Sequence, residues 1–120
     1  MAENSEIKFD LIVTIVNKGF AEEVVETSKK AGAEGGTILS GRGTGMHENM
    51  KLLGIPIEPE KEIVLTLIDR TKTKKVLDAI TSSVDLNKPG KGVAFVLEVE
   101  KTAGICHMRD KCCDADKDNK

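Results

Sequence analysis

The residues best placed to do chemistry in this chain are glycines and lysines rather than acid–base pairs. Asn87-Lys88-Pro89-Gly90-Lys91-Gly92 is turn chemistry. The glycines leave backbone N–H groups uncovered by any Cβ and Lys91 adds a point charge, so the turn can cradle phosphate oxygens. A tight helix-to-strand turn with a solvated lysine would have the same sequence. Gly41-Arg42-Gly43-Thr44-Gly45 places three glycines in five residues. It follows a strand-like segment but opens no helix, so it is not a dinucleotide-binding fingerprint and reads plainly as the start of a flexible loop.

The tail offers thiols and an imidazole at Cys106, His107, Cys112 and Cys113. Their spacing matches neither paired CxxC motifs nor a helical histidine pair, so a metal site is not expected. A Cys106–Cys112 disulfide would close a short loop, which leaves a redox role open. No Ser/His/Asp set, paired catalytic carboxylates or nucleophile elbow is apparent, and the chain is not expected to be an enzyme.

The elements that must position these residues follow from periodicity. Ile7 to Val16 alternates with period two, placing Ile7, Phe9, Leu11, Val13 and Ile15 on one face and Lys8, Asp10 and Thr14 on the other. From Phe20 to Ala31 the apolar spacing becomes helical, with Glu22 and Glu23 in the first turn, Lys29 and Lys30 in the last, and Gly32 as a stop. Thr37 to Ser40 reads as a short second strand and Ile63 to Ile68 as a third. Asp69 or Thr71 can cap a second helix that turns Val76, Leu77, Ile80 and Val84 inward. Val93 to Val99 is the fourth strand, with Val93, Phe95, Leu97 and Val99 on one face.

The order is βαββαβ, which predicts an α+β, ferredoxin-like sandwich: two helices over one face of a four-stranded, mostly antiparallel sheet, joined by right-handed crossovers. Residues 1–105 form that domain in this reading. Residues 106–120, with four Asp and four basic residues after Cys106, form a polar, mobile tail.

Between the second and third strands, Arg42 to Glu60 is a loop of roughly 19 residues, longer than compact domains tolerate without a function. Met46, Met50, Leu52, Leu53, Ile55 and Ile57 would be costly to leave in water, so the loop is expected to pack on its own protein, on a neighbouring subunit or on a partner. Methionine suits adaptable contacts.

Composition narrows the class. At 120 residues with 18 basic and 20 acidic side chains, one domain is expected and neither nucleic acid nor an anionic membrane is called for. With 2% aromatic residues the core must be aliphatic and marginal alone, so oligomerisation is expected. No apolar run spans a bilayer, and all three cysteines lie in the last 15 residues, which fits a reducing cytoplasm.

Ala31-Gly32-Ala33-Glu34-Gly35-Gly36-Thr37 leading into Gly-Arg-Gly, the long loop, the apolar strand and Pro89-Gly90-Lys91-Gly92-Val93-Ala94-Phe95-Val96 together resemble the nitrogen regulator P-II superfamily, over about Lys8 to Gly104. The resemblance implies a homotrimer with ATP, ADP or AMP in each intersubunit cleft. Thr37 and the strand around Leu65, Thr66 and Leu67 would meet the adenine. Lys88, Gly90, Lys91 and Gly92 would form the phosphate-binding turn. Gly41, Arg42 and Gly43 would form the base of the effector loop, or T-loop, and Lys101 would reach phosphates from the neighbouring subunit.

Some family features are missing. The chain has no tyrosine, so uridylylation of the loop is excluded. Met46 and His47 stand where classical members carry the Arg-Gln pair used with magnesium-ATP for 2-oxoglutarate, and the two C-terminal arginines are absent. The resemblance therefore implies a divergent adenine-nucleotide sensor that regulates a transporter or metabolic enzyme through its loop. The alternatives are an ACT-like small-molecule module, which would need neither the long loop nor the Gly-Lys-Gly turn, and a metal- or redox-responsive protein using the Cys/His tail.

Overall fold

The computed structural model describes residues 7–43, 50–52, 55–57 and 59–105. The chain runs β1 (Phe9–Asn17), α1 (Ala21–Lys30), β2 (Thr37–Arg42), β3 (Met50–Leu52), β4 (Ile55–Ile57), β5 (Glu60–Asp69), a 3-10 turn (Arg70–Lys72), α2 (Thr73–Ser83) and β6 (Gly92–Val99). Four strands form one sheet in the order β2-β5-β1-β6, and all three pairings are antiparallel. Each βα unit skips a neighbour, so the two units interleave: β5 lies between β1 and β2, and β1 lies between β5 and β6. This is the expected ferredoxin-like arrangement. The long connection carries more structure than its sequence suggested, since β3 and β4 pair as a two-stranded ribbon with Met50 opposite Ile57 and Leu52 opposite Ile55. Met46 and His47 of the loop, and the tail cysteines, lie outside the described residues.

The helices select the less obvious face of the sheet. Ile12 and Val16 of β1 and Val64 and Ile68 of β5 form the core with Val24 of α1 and Val76 and Ile80 of α2. Asp10 and Thr14 share that face and are buried. The more uniformly apolar face is left without a helix: Leu11, Val13 and Ile15 stand in register with Leu67, Leu65 and Ile63 on one side and with Leu97, Phe95 and Val93 on the other. Alternation thus identified the two faces but not which one the helices cover. The helical stripes are aliphatic, and Val24, Val76 and Ile80 pack with Ile12, Val16, Val64 and Ile68 of the mixed face.

The buried polar residues show how that face tolerates them. Asp10 accepts from Arg70 Nε at 2.9 Å and from Thr73 Oγ1 at 2.7 Å, so a buried carboxylate fixes the start of α2. The hydroxyls of Thr14 and Thr66 are buried without a hydrogen-bond partner among the described residues. Helix α1 has no side-chain cap of its own. Instead Glu62 Oε1, on β5, accepts from the N–H groups of Gly19 and Ala21 at 2.9 and 3.1 Å, supplying from the sheet the anion that a helix N-terminus favours. Asp69 does the same locally, accepting from Thr71 N at 2.9 Å to open the 3-10 turn. Ser83 joins the two helices: it accepts from Thr27 Oγ1 at 2.9 Å and donates to Glu23 Oε2 at 2.7 Å.

Candidate functional site

The polar features gather at the two ends of the sheet. At one end lie Asn17 of β1, Arg42 of β2, Glu60 of β5 and Gly92 of β6. The ladder there runs Gly41 opposite Lys61 and Arg42 opposite Glu60, and it continues as Gly43 N–H to Pro59 C=O at 3.2 Å, so the loop springs from a paired stem. Beside the stem, Lys18 Nζ sits 2.9 Å from Glu60 Oε1, and that hydrogen bond and charge raise the Lys18 pKa above its ordinary value. Both side chains are well exposed, so the pair contributes little to stability. A shallow cleft of about 350 Å³ is lined by Lys18, Gly41, Arg42, Glu60 and Lys61.

The glycine turn lies at the same end. Gly90 has φ +79°, and a Cβ there would meet no atom nearby, so glycine is needed for conformation alone. Gly92 has φ +140°, and a Cβ would collide with the Ile15 carbonyl, so here glycine is needed for both conformation and space. Lys88 and Lys91 are exposed, with the Lys88 N–H bonded to Asp85 C=O at 3.0 Å. Between turn and stem stands Asn17: its Nδ2 donates to Gly90 C=O at 3.0 Å and its Oδ1 accepts from Lys61 Nζ at 2.6 Å.

At the opposite end, β2 begins only at Thr37, opposite Leu65, whereas β5 runs on to Asp69. Antiparallel strands send successive main-chain groups to alternate sides. Arg70 N–H reaches Lys8 C=O on the β1 side and Pro59 C=O accepts on the β2 side, so odd-numbered β5 residues face β2. Leu67 therefore presents its N–H and C=O beyond the start of β2. Gly35, Gly36, Thr37, Leu67, Gly104 and Ile105 line a cleft of about 450 Å³ there. Thr66 does not reach it: its side chain is buried among the helices and its main-chain groups face β1. Lys101 lines a separate cleft of about 540 Å³ with Lys8, Phe9, Arg70 and Glu98.

Within one subunit the expected site residues thus fall into two sets. Gly41, Arg42, Gly43, Lys88, Gly90, Lys91 and Gly92 share one end; Thr37, Leu67 and Lys101 share the other, with Leu65 one ladder step inward on the helix-free face. Sequence reasoning missed Asn17, Lys61 and Glu62, whose roles depend on contacts between strands that no local motif announces. Among the described residues no group of three or more His, Cys, Asp or Glu side chains could hold a metal ion. No helix of the described residues is long and apolar enough to cross a membrane.

These features define an α+β protein of the ferredoxin-like class whose glycine turn and loop stem adjoin, with exposed backbone at the far end of the same sheet. The chain belongs to the nitrogen regulatory protein P-II family, whose pattern matches residues 9–108. Among solved structures it is similar to the B. subtilis GlnK–ATP complex, with a TM-score of 0.64 and 17% identity over 82% of this chain and 87% of that one. It is also similar to Arabidopsis thaliana PII bound to citrate, with a TM-score of 0.61 and 22% identity over 78% of each chain. No curated protein matches it by sequence.

Proposed function

We propose that this protein is a cytoplasmic, homotrimeric adenine-nucleotide sensor that regulates a membrane transporter or a metabolic enzyme through the loop from Arg42 to Glu60, without catalysing a reaction. The observation that carries the reading is the division of the expected site between opposite ends of one subunit. The glycine turn and loop stem at one end would contact phosphates, and the Leu67 main chain and Lys101 at the other would meet the base and further phosphate oxygens. They complete a single site only when the two ends come from different subunits.

Two further observations support it. The helix-free face leaves Val93, Phe95 and Leu97 about half exposed, which a monomer in water would not favour and which three sheets closing around an axis would cover. The structurally similar GlnK was solved with ATP and the plant PII with citrate, so the fold holds small anions in those proteins. A nucleotide would shift the loop only through its difference in affinity for two loop states, so ATP and ADP could favour different outputs.

Calorimetry with ATP, ADP and AMP tests the reading. Lys91→Ala should weaken ATP binding by roughly ten- to a hundredfold while leaving the fold intact, the value of a charge-assisted phosphate contact. Equal affinities of wild type and variant would remove Lys91 from the site, and no binding of any adenine nucleotide would end the proposal.

A further inference from the structure

Asn17 touches both the glycine turn and the loop stem. Its two contacts fix the amide's orientation: turned over, its NH2 would face the Lys61 ammonium and its oxygen the Gly90 carbonyl, and both hydrogen bonds would be lost. Lys61 lies directly opposite Asn17 in β1 and opposite Gly41 in β2, at the step of the ladder from which the loop stem rises.

The contact with Gly90 does more than brace the turn. In a trans peptide the C=O and N–H point in opposite directions. Holding the Gly90 C=O against Asn17 therefore aims the Lys91 N–H away from the protein, on the exposed side of the turn. An anion accepting from that N–H polarises the peptide and makes the Gly90 oxygen a better acceptor, which tightens the Asn17 bond and with it the contact to Lys61.

We infer that Asn17 is a positioning residue that couples anion binding at the Gly90–Lys91 peptide to the order of the loop stem at Lys61. The inference rests on the reading that this turn takes phosphate. Asn17 need not touch the ligand, since it acts through the Gly90 peptide on one side and the Lys61 ammonium on the other. Coupling of this kind is reciprocal, so loosening Lys61 must also loosen the turn.

Hydrogen exchange on the full chain tests both directions. Without ligand, Lys61→Met should raise exchange at the Lys91 and Gly92 amides by about threefold or more, and should add nothing further in an Asn17→Ala background. Unchanged exchange at the turn in Lys61→Met, or an equal rise in both backgrounds, would overturn the coupling whatever the ligand. With ATP as the probe, Asn17→Ala and the isosteric Asn17→Asp, which can still accept from Lys61 but sets an oxygen against the Gly90 carbonyl, should bind within about tenfold of wild type and lose the ATP-dependent change in exchange across residues 41–43 and 59–61. A full ATP response of the stem in both variants would refute the role of Asn17. If wild type binds no ATP, the functional reading fails, while the ligand-free comparison still decides whether Asn17 links turn and stem.

Discussion

Arg70 and Asp10 meet across 60 residues of sequence, Nε to Oδ1 at 2.9 Å, with the carboxylate nearly buried and the guanidinium about one-third exposed. Arg70 also donates from Nη2 to the Phe9 carbonyl at 3.2 Å. One side chain therefore ties the edge where β1 begins to the turn that launches α2. Arg70→Met should destabilise the fold by about 2 kcal/mol, because Asp10 keeps Thr73 as a donor but loses its countercharge. Urea unfolding would measure this, and a change within about 0.5 kcal/mol, the usual scatter of surface substitutions, would show that Thr73 alone satisfies Asp10.

Glu62 should behave as a cap delivered from a distance. Glu62→Ala should cost about 1 kcal/mol and raise exchange in the first turn of α1, the usual consequence of removing a helix cap. Glu62→Gln keeps an acceptor oxygen and should recover most of the loss. If the two variants are equally stable, the carboxylate is not acting as the cap of α1.

The two positive-φ glycines of the turn should respond differently to the same substitution. Gly90→Ala meets open space and should cost only the left-handed backbone penalty, about 1 to 2 kcal/mol. Gly92→Ala adds a collision with the Ile15 carbonyl and should cost distinctly more, by about 3 kcal/mol or greater, with loss of β6 pairing. Thermal unfolding of both variants checks the order, and equal melting temperatures would contradict the close approach.

Leu97→Glu tests the helix-free face. Leu97 is half exposed in the single subunit, so the substitution should spare the monomer fold. In the proposed trimer it would bury charge, and light scattering should report a mass near 13.0 kDa instead of about three times that. An unaltered assembly would place the interface elsewhere.

Much of the fold was legible in the sequence. The helical stripe ending at Gly32, the alternation of Val93 to Val99 and the turn at Asn87 to Gly92 each belong to one element and can be read within it. Strands extended beyond the sequence limits where pairing rather than side-chain pattern sustains them: β5 begins at Glu60 because Arg42 is opposite, and β2 reaches Arg42 for the same reason. The loop ribbon was not foreseen, since three-residue strands carry too little alternation to be read. The site was legible only as fragments. Gly90, Lys91 and the Gly-Arg-Gly stem have local signatures, whereas Asn17 and Glu62 become meaningful only once β1, β5 and the turn are side by side.

The interleaved strand order also sets when the protein can fold as it is made. Strand β1 lies in the interior of the sheet and is the first of the described strands to be synthesised, yet one of its neighbours, β6, is the last of them to emerge, with Phe9 opposite Val99. Until then β1 has one unpaired edge and the helix-free face has no closing strand. Pairings this distant in sequence are slow to form and pass through states with exposed strand edges. In the proposed trimer each subunit would therefore complete its assembly surface only once β6 has left the ribosome, so association would wait for that strand.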